Sequence, residues 1–156
     1  MELLLHEIAH LIISLLIGFS VWRIYKKPFP AFAAALLGGV LIDADHLFDY
    51  FLVFGPSFNI RYFFENIQFS ISRKVYVPFH AWEYVILLSG LYIYLQNNLT
   101  KKKLKISKGL FALILSLTLS MYSHLIIDTM TNNLVLPGYS IIYRTLNNFS
   151  AEKISR

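Results

Sequence analysis

The chain has 156 residues, a net charge of +5 and no cysteine, which excludes a disulfide framework and a thiolate metal site. Hydrophobic residues make up 56% and charged residues 15%, against roughly 25% charged in an average soluble domain, so a single membrane-embedded domain over residues 1–156 is expected. The basic residues sit in short runs beside apolar stretches, which points to membrane anchoring and away from nucleic acid.

Hydropathy predicts an all-α integral membrane bundle of about four transmembrane helices, each crossing ~30 Å of hydrocarbon at ~1.5 Å per residue. The first covers residues 3–22 and stops at Arg23-Ile-Tyr-Lys26-Lys27-Pro28. It does not read as a signal peptide, because acids precede it, basic residues follow it and no A-x-A site closes it. A second covers 31–54 and starts with AAALLGG, small residues of the kind that let membrane helices pack closely. The third covers 79–95, introduced by Pro78, and the fourth 109–128. The 55–77 connection and the tail after Asp128 are rich in Phe, Tyr and Ile and are expected to lie along the membrane interface.

Orientation follows from the loops. The first and third carry Arg23, Lys26, Lys27, Lys101, Lys102, Lys103, Lys105 and Lys108 with no acid. The second loop and the tail spread six basic residues over more than twice that length. The positive-inside rule then turns both termini outward from the plasma membrane.

All five His (6, 10, 46, 80, 124) and all four Asp (43, 45, 49, 128) lie within or at the edge of the apolar stretches. An Asp near a helix centre costs ~2.5–3.5 kcal/mol to insert, so something must compensate these residues. Mutual His–Asp hydrogen bonding between helices is the bland answer. A shared divalent ion offsets charge and desolvation together, and O/N donors without sulfur suit Zn, Mn or Fe. His6/His10, Asp45/Asp49 and His124/Asp128 are i,i+4 pairs, and Asp43/His46, His46/Asp49 and His80/Glu83 are i,i+3 pairs, so each pair shares a helix face. In an up-and-down bundle these positions also fall in one half of the bilayer, near the extracytoplasmic face. His10 lies ~10 Å from the outer end of its helix and the 43–49 cluster ~16 to 8 Å from the outer end of the second.

His6-Glu7-Ile8-Ala9-His10 is an HExxH, the pattern that holds zinc between two His with Glu as general base. It opens the alternative of an intramembrane zinc metalloprotease. That alternative lacks an evident third ligand and leaves Asp43-Ala44-Asp45-His46 unexplained.

The remaining motifs resemble the YdjM-like membrane-bound metal-dependent hydrolases, with a looser similarity to the zinc-dependent phospholipase C group. His10-Leu-Ile-Ile-Ser resembles that family's early His, Asp43-Ala44-Asp45-His46 its D-x-D-H, and Phe79-His80 the end of its third motif. Ser123-His124-Leu-Ile-Ile-Asp128-Thr129-Met130-Thr131 is similar to its S-H-x-x-x-D-x-x-T, followed by Leu-Val-Leu-Pro137. Ile42 replaces a Pro, Val75 and Tyr76 replace the family's H-R, and Ala81 replaces a Ser. The resemblance implies a hydrolase that holds one or two divalent ions, zinc first, through His10, Asp43, Asp45, His46, His80, His124 and Asp128. Glu7, Asp49 and Glu83 are the candidate base or acid, with Asp49 equally suited to orient His46. His6, a helical turn nearer the surface than His10, is expected to be peripheral. The expected substrate is an amphipathic, lipid-like ester or phosphoester, phosphoester first. A non-enzymatic metal carrier is the third reading, disfavoured because every His lies on one side.

Overall fold

The computed structural model describes residues 3–100, 106–132 and 134–155; the lysine run at 101–105 lies outside the described residues. Among the described residues the structure is all-α, with two isolated β-bridges and no named strand. In chain order, α1 (Leu3–Tyr25) and α2 (Pro28–Gly39) lead into a 3₁₀ turn (Leu41–Asp45) that runs on as α3 (His46–Phe54). Two short helices, α4 (Ile60–Phe64) and α5 (Ile67–Ser72), precede the long α6 (Trp82–Thr100) and α7 (Lys108–Thr131). The tail folds as a second 3₁₀ turn (Leu136–Tyr139), α8 (Ile141–Leu146) and α9 (Ala151–Ile154).

Two helices, α1 from Leu5 onward and α7, are each long and apolar enough to cross a membrane. A third candidate is α2 together with Leu41–Phe54, which meets the same standard as a pair bent by 50°. Diluted by Glu83, Gln96, Asn97 and Asn98, α6 falls short of it. Leu5, Ile12 and Leu16 on α1 and Ile86, Leu87 and Ile93 on α6 are each more than half exposed, a disposition suited to lipid and costly in water.

The single helix expected over 31–54 is in fact broken, and its glycines are the reason. A Cβ on Gly38 would stand 2.8 Å from the Leu117 carbonyl oxygen and 2.9 Å from Met121 Cγ, and one on Gly39 would collide with the Ser14 side chain. The glycines thus let α2 lie directly on α7 and α1, and the helix yields just beyond them at Val40. A straight continuation would have carried Asp43 and His46 along the α2 axis.

Packing pairs fix the helix directions. Val21 and Ala31 share a small core with Ala112, while Ser14 meets Gly39 and Gly38 meets Leu117 and Met121, so α2 runs antiparallel to α1 and parallel to α7. Val85 packs with Met121 and Leu125 near the start of α6, and Tyr92 meets Phe111 further along, so α6 opposes α7. The start of α1, the end of α2, the lead-in to α6 and the end of α7 therefore lie at one end of the bundle. The 55–77 connection and the tail cover that end, joined through a core of Val75, Val77 and Ile154 and by the bridge Lys74–Ser150, while Leu134–Ser155 ties the tail to itself.

Candidate metal centre

All five histidines of the chain turn Nε2 toward just two carboxylates, Asp43 and Asp128. From α1, His6 and His10 approach Asp128 Oδ1 to 3.1 and 3.3 Å. His80, in the coil ahead of α6, lies 3.0 Å from Asp43 Oδ1 and 3.7 Å from Asp128 Oδ2. His124, one turn before Asp128 on α7, lies 3.5 Å from each carboxylate. His46 stands 3.7 Å from Asp43, one turn earlier on the same strand of chain. The i,i+4 spacing thus does place His6 with His10 and His124 with Asp128, and the i,i+3 spacing Asp43 with His46; His80 and Glu83 do not share a helix face, because α6 starts only at Trp82.

The nitrogens also crowd one another. His6 and His10 bring Nε2 atoms to 2.9 Å, His80 and His124 to 3.0 Å, and the His10 and His124 rings stack at 3.9 Å. Complementary tautomers would make each pair an N–H···N hydrogen bond, and the same spacing suits two bare nitrogens that share one cation. Ligand atoms on a tetrahedral ion bound at ~2.0–2.1 Å stand roughly 3.3 Å apart, and the spacings here run from 2.9 to 3.7 Å. Among the described residues, three groups have ligand atoms mutually close enough to hold an ion: His6–His10–Asp128, Asp43–His46–His80 and His80–His124–Asp128.

The far nitrogens supply a second test. Histidines that ligate metal nearly always hand the other ring N–H to a carboxylate, carbonyl or water. His80 Nδ1 meets Asp45, His124 Nδ1 meets the Gly39 carbonyl oxygen at 3.1 Å, and His6 Nδ1 meets Thr131 Oγ1 at 3.4 Å. Asp43 Oδ2 is buried and has no hydrogen-bond partner among the described residues, whereas the far nitrogen of His10, Nδ1, also lacks one and so departs from that pattern. Mutual His–Asp glue would have consumed the Asp43 oxygen; a site shaped for an ion leaves it. The donor set fits a divalent metal.

Several sequence-predicted residues stand elsewhere in the structure. Asp45 lies on the far side of His80 from the cluster and also accepts the Phe79 N–H at 2.7 Å. Asp49 accepts the N–H groups of Tyr76 and Val77, each at 2.8 Å, and so ties α3 to the coil that carries His80. Glu83 accepts from Ser140 Oγ and from the Ile142 N–H, pinning the start of α8 rather than facing the cluster. Glu7 lines a cavity of about 340 Å³ that opens on His6, Asp43 and His46, with Phe63 and Phe64 among its walls. His6, expected to be peripheral, stands among the Nε2 donors.

One residue carried no signal in the sequence. Arg144 lies in the apolar run IIYRTL, is fully buried, and donates from Nη2 to the His80 carbonyl oxygen at 3.0 Å. Burial pushes its guanidinium below the ordinary arginine range, opposed by the charges of Asp45, Glu83 and Asp49. It braces the His80 coil from behind. No family model, curated protein or solved structure matches the chain.

Proposed function

We propose that this protein is a membrane-bound metal-dependent hydrolase that cleaves an ester, phosphoester first, of a lipid-like amphiphile at the extracytoplasmic face of the plasma membrane. The observation that carries the reading is the convergence of five histidine Nε2 atoms on Asp43 and Asp128 beside a cavity walled by Glu7. The motif resemblance to YdjM-like hydrolases points the same way, since its D-x-D-H and S-H-x-x-x-D stretches supply four of the clustered residues, Asp43, His46, His124 and Asp128, and with Asp45 the carboxylate that orients His80.

His6, His10 and Asp128 would hold one divalent ion and Asp43, His46 and His80 a second, with His124 between them. Zinc is the first choice and Mn or Fe the next, given nitrogen and oxygen donors alone. Bound there, a divalent ion supplies Lewis acidity toward a phosphoryl or carbonyl oxygen and makes water acidic near neutral pH. Glu7, on the cavity wall outside the donor groups, is assigned as the general base that takes the proton of attacking water. Asp45 and Gly39 hold the His80 and His124 rings in register, and Arg144 holds the His80 backbone.

One observation favours a second reading. Asp128 supplies the third ligand that the His6-Glu7-x-x-His10 motif lacks in sequence, which is what an intramembrane metalloprotease would need. Against it, Asp43 reaches the same cluster through His124 and His80, so the donors exceed one zinc's requirement.

The test is elemental analysis of protein purified in mild detergent, followed by turnover of lipid phosphoesters and of transmembrane peptides. The hydrolase reading expects transition metal at one to two ions per chain and phosphoester turnover that Asp43→Asn and Glu7→Gln each abolish. Metal-free protein of undiminished stability would sink both readings. Peptide cleavage that persists in Asp43→Asn would transfer the assignment to the protease.

A further inference from the structure

A second cavity, of about 250 Å³, lies behind the first. The two share His46, Asn66, Asp128 and Asn132, so they meet at the donor cluster rather than on opposite faces of the protein. The rest of the second cavity's lining is Phe69, Val75, Val77, Leu134, Tyr139 and Ala151, with His80 and Ser155. The first six come from the 55–77 connection and from the tail, around the small core that joins the two.

Protein interiors rarely leave voids larger than a water molecule, because the lining atoms lose dispersion contacts. An apolar void of roughly 150 Å³ already binds benzene and excludes water. The space here is larger and mostly apolar, and it opens at one end onto charged groups. Its wall also contains Val77 at φ +29°, a β-branched residue in the left-handed region, two residues beyond Val75 and three before His80. Such backbone persists where surrounding structure over-determines it, and here Asp49 does so by binding the Val77 N–H.

We infer that the second cavity is an alkyl-chain subsite: the hydrocarbon chain of a single-chain amphiphile enters it while the anionic head stays at the cluster in the first cavity. The inference rests on the hydrolase reading and adds a limit on the substrate, since a cavity of about 250 Å³ takes up a chain only to a fixed length. A site open to bulk lipid sets no such limit. The tail then acts as a specificity element, because Leu134, Tyr139 and Ala151 line the cavity.

The probe is a series of linear alkylphosphonates, whose P–C bond resists hydrolysis, from ethyl to decyl. Binding is measured calorimetrically on zinc-loaded protein in nanodiscs, with empty nanodiscs subtracted. Affinity should rise by about fourfold per methylene and then level off. Ala151→Phe should bring the plateau to shorter chains. A gain that continues through decyl without a break would overturn the inference, as would a flat series with ethylphosphonate bound. Both results leave the hydrolase reading standing. Failure of every phosphonate to bind would remove that reading and the subsite with it. The wild-type plateau decides the matter even where Ala151→Phe does not fold.

Discussion

Asp45 sets both carboxylate oxygens against Nδ1 of His80, at 3.0 and 3.1 Å, and in doing so turns Nε2 of the same ring toward Asp43 and His124. The carboxylate orients a donor without being one of the atoms that face the cavity. Asp45→Asn keeps the shape and removes the charge. It is expected to lower metal affinity by about 10–100-fold while the helical fold persists. Competition titration against a chelator, with circular dichroism as control, checks this; affinity equal to wild type would show that His80 is not a ligand.

Glu83 has the composition of a catalytic acid and the position of a structural clamp. Bound to Ser140 and to the Ile142 N–H, it joins α6 to the tail. Glu83→Gln should therefore retain turnover and lose about 1 kcal/mol of stability, the worth of a weakened charge-assisted bond. Thermal unfolding and initial rates on one preparation separate the two effects. An inactive variant of normal stability would return Glu83 to the reaction.

The glycine pair makes a contrast within one helix. Gly38→Ala drives a methyl against the Leu117 carbonyl oxygen, which cannot step aside, and should cost about 1–3 kcal/mol. Gly39→Ala meets a side chain instead, that of Ser14. The double variant Gly39→Ala/Ser14→Gly should recover stability relative to Gly39→Ala alone. Equal stability of the single and double variants would mean that Ser14 is not the obstacle.

Topology is accessible because the chain has no cysteine. Single cysteines at Lys27, in the turn between α1 and α2, and at Asn132, at the end of α7, report opposite ends of the bundle. An impermeant thiol reagent on intact cells should label Asn132→Cys and spare Lys27→Cys. The reverse pattern would open the site to the cytoplasm.

The residues of the candidate site were legible in the sequence because charge in an apolar segment is costly wherever it falls. His10, Asp43, His46, His80, His124 and Asp128 stood out on that ground alone, and helical spacing paired several of them locally. Alternation did more: in an up-and-down bundle the start of one segment and the end of the next lie at the same end, and depths reckoned at ~1.5 Å per residue put these positions in one half of the bilayer. That common end is where the cluster stands.

Roles within the cluster were a different matter, because they depend on contacts between segments far apart in the chain. A turn of helix at the start of α1 separates His6 from His10, yet Asp128 on α7 reaches both. Asp45 is two residues from Asp43, but the 3₁₀ turn that follows Val40 sends one carboxylate to Nδ1 of His80 and the other to its Nε2. The Gly38–Gly39 pair announced close packing, and only the bulk of Leu117, Met121 and Ser14 around it decided where the helix would break. Arg144 was silent for the same reason, since nothing in IIYRTL shows which carbonyl it will meet. Hydropathy and periodicity are properties of neighbours in sequence, and they settled which residues gather and at which end. Which nitrogen faces which oxygen is decided over 3 Å between helices, and that only the packed bundle determines.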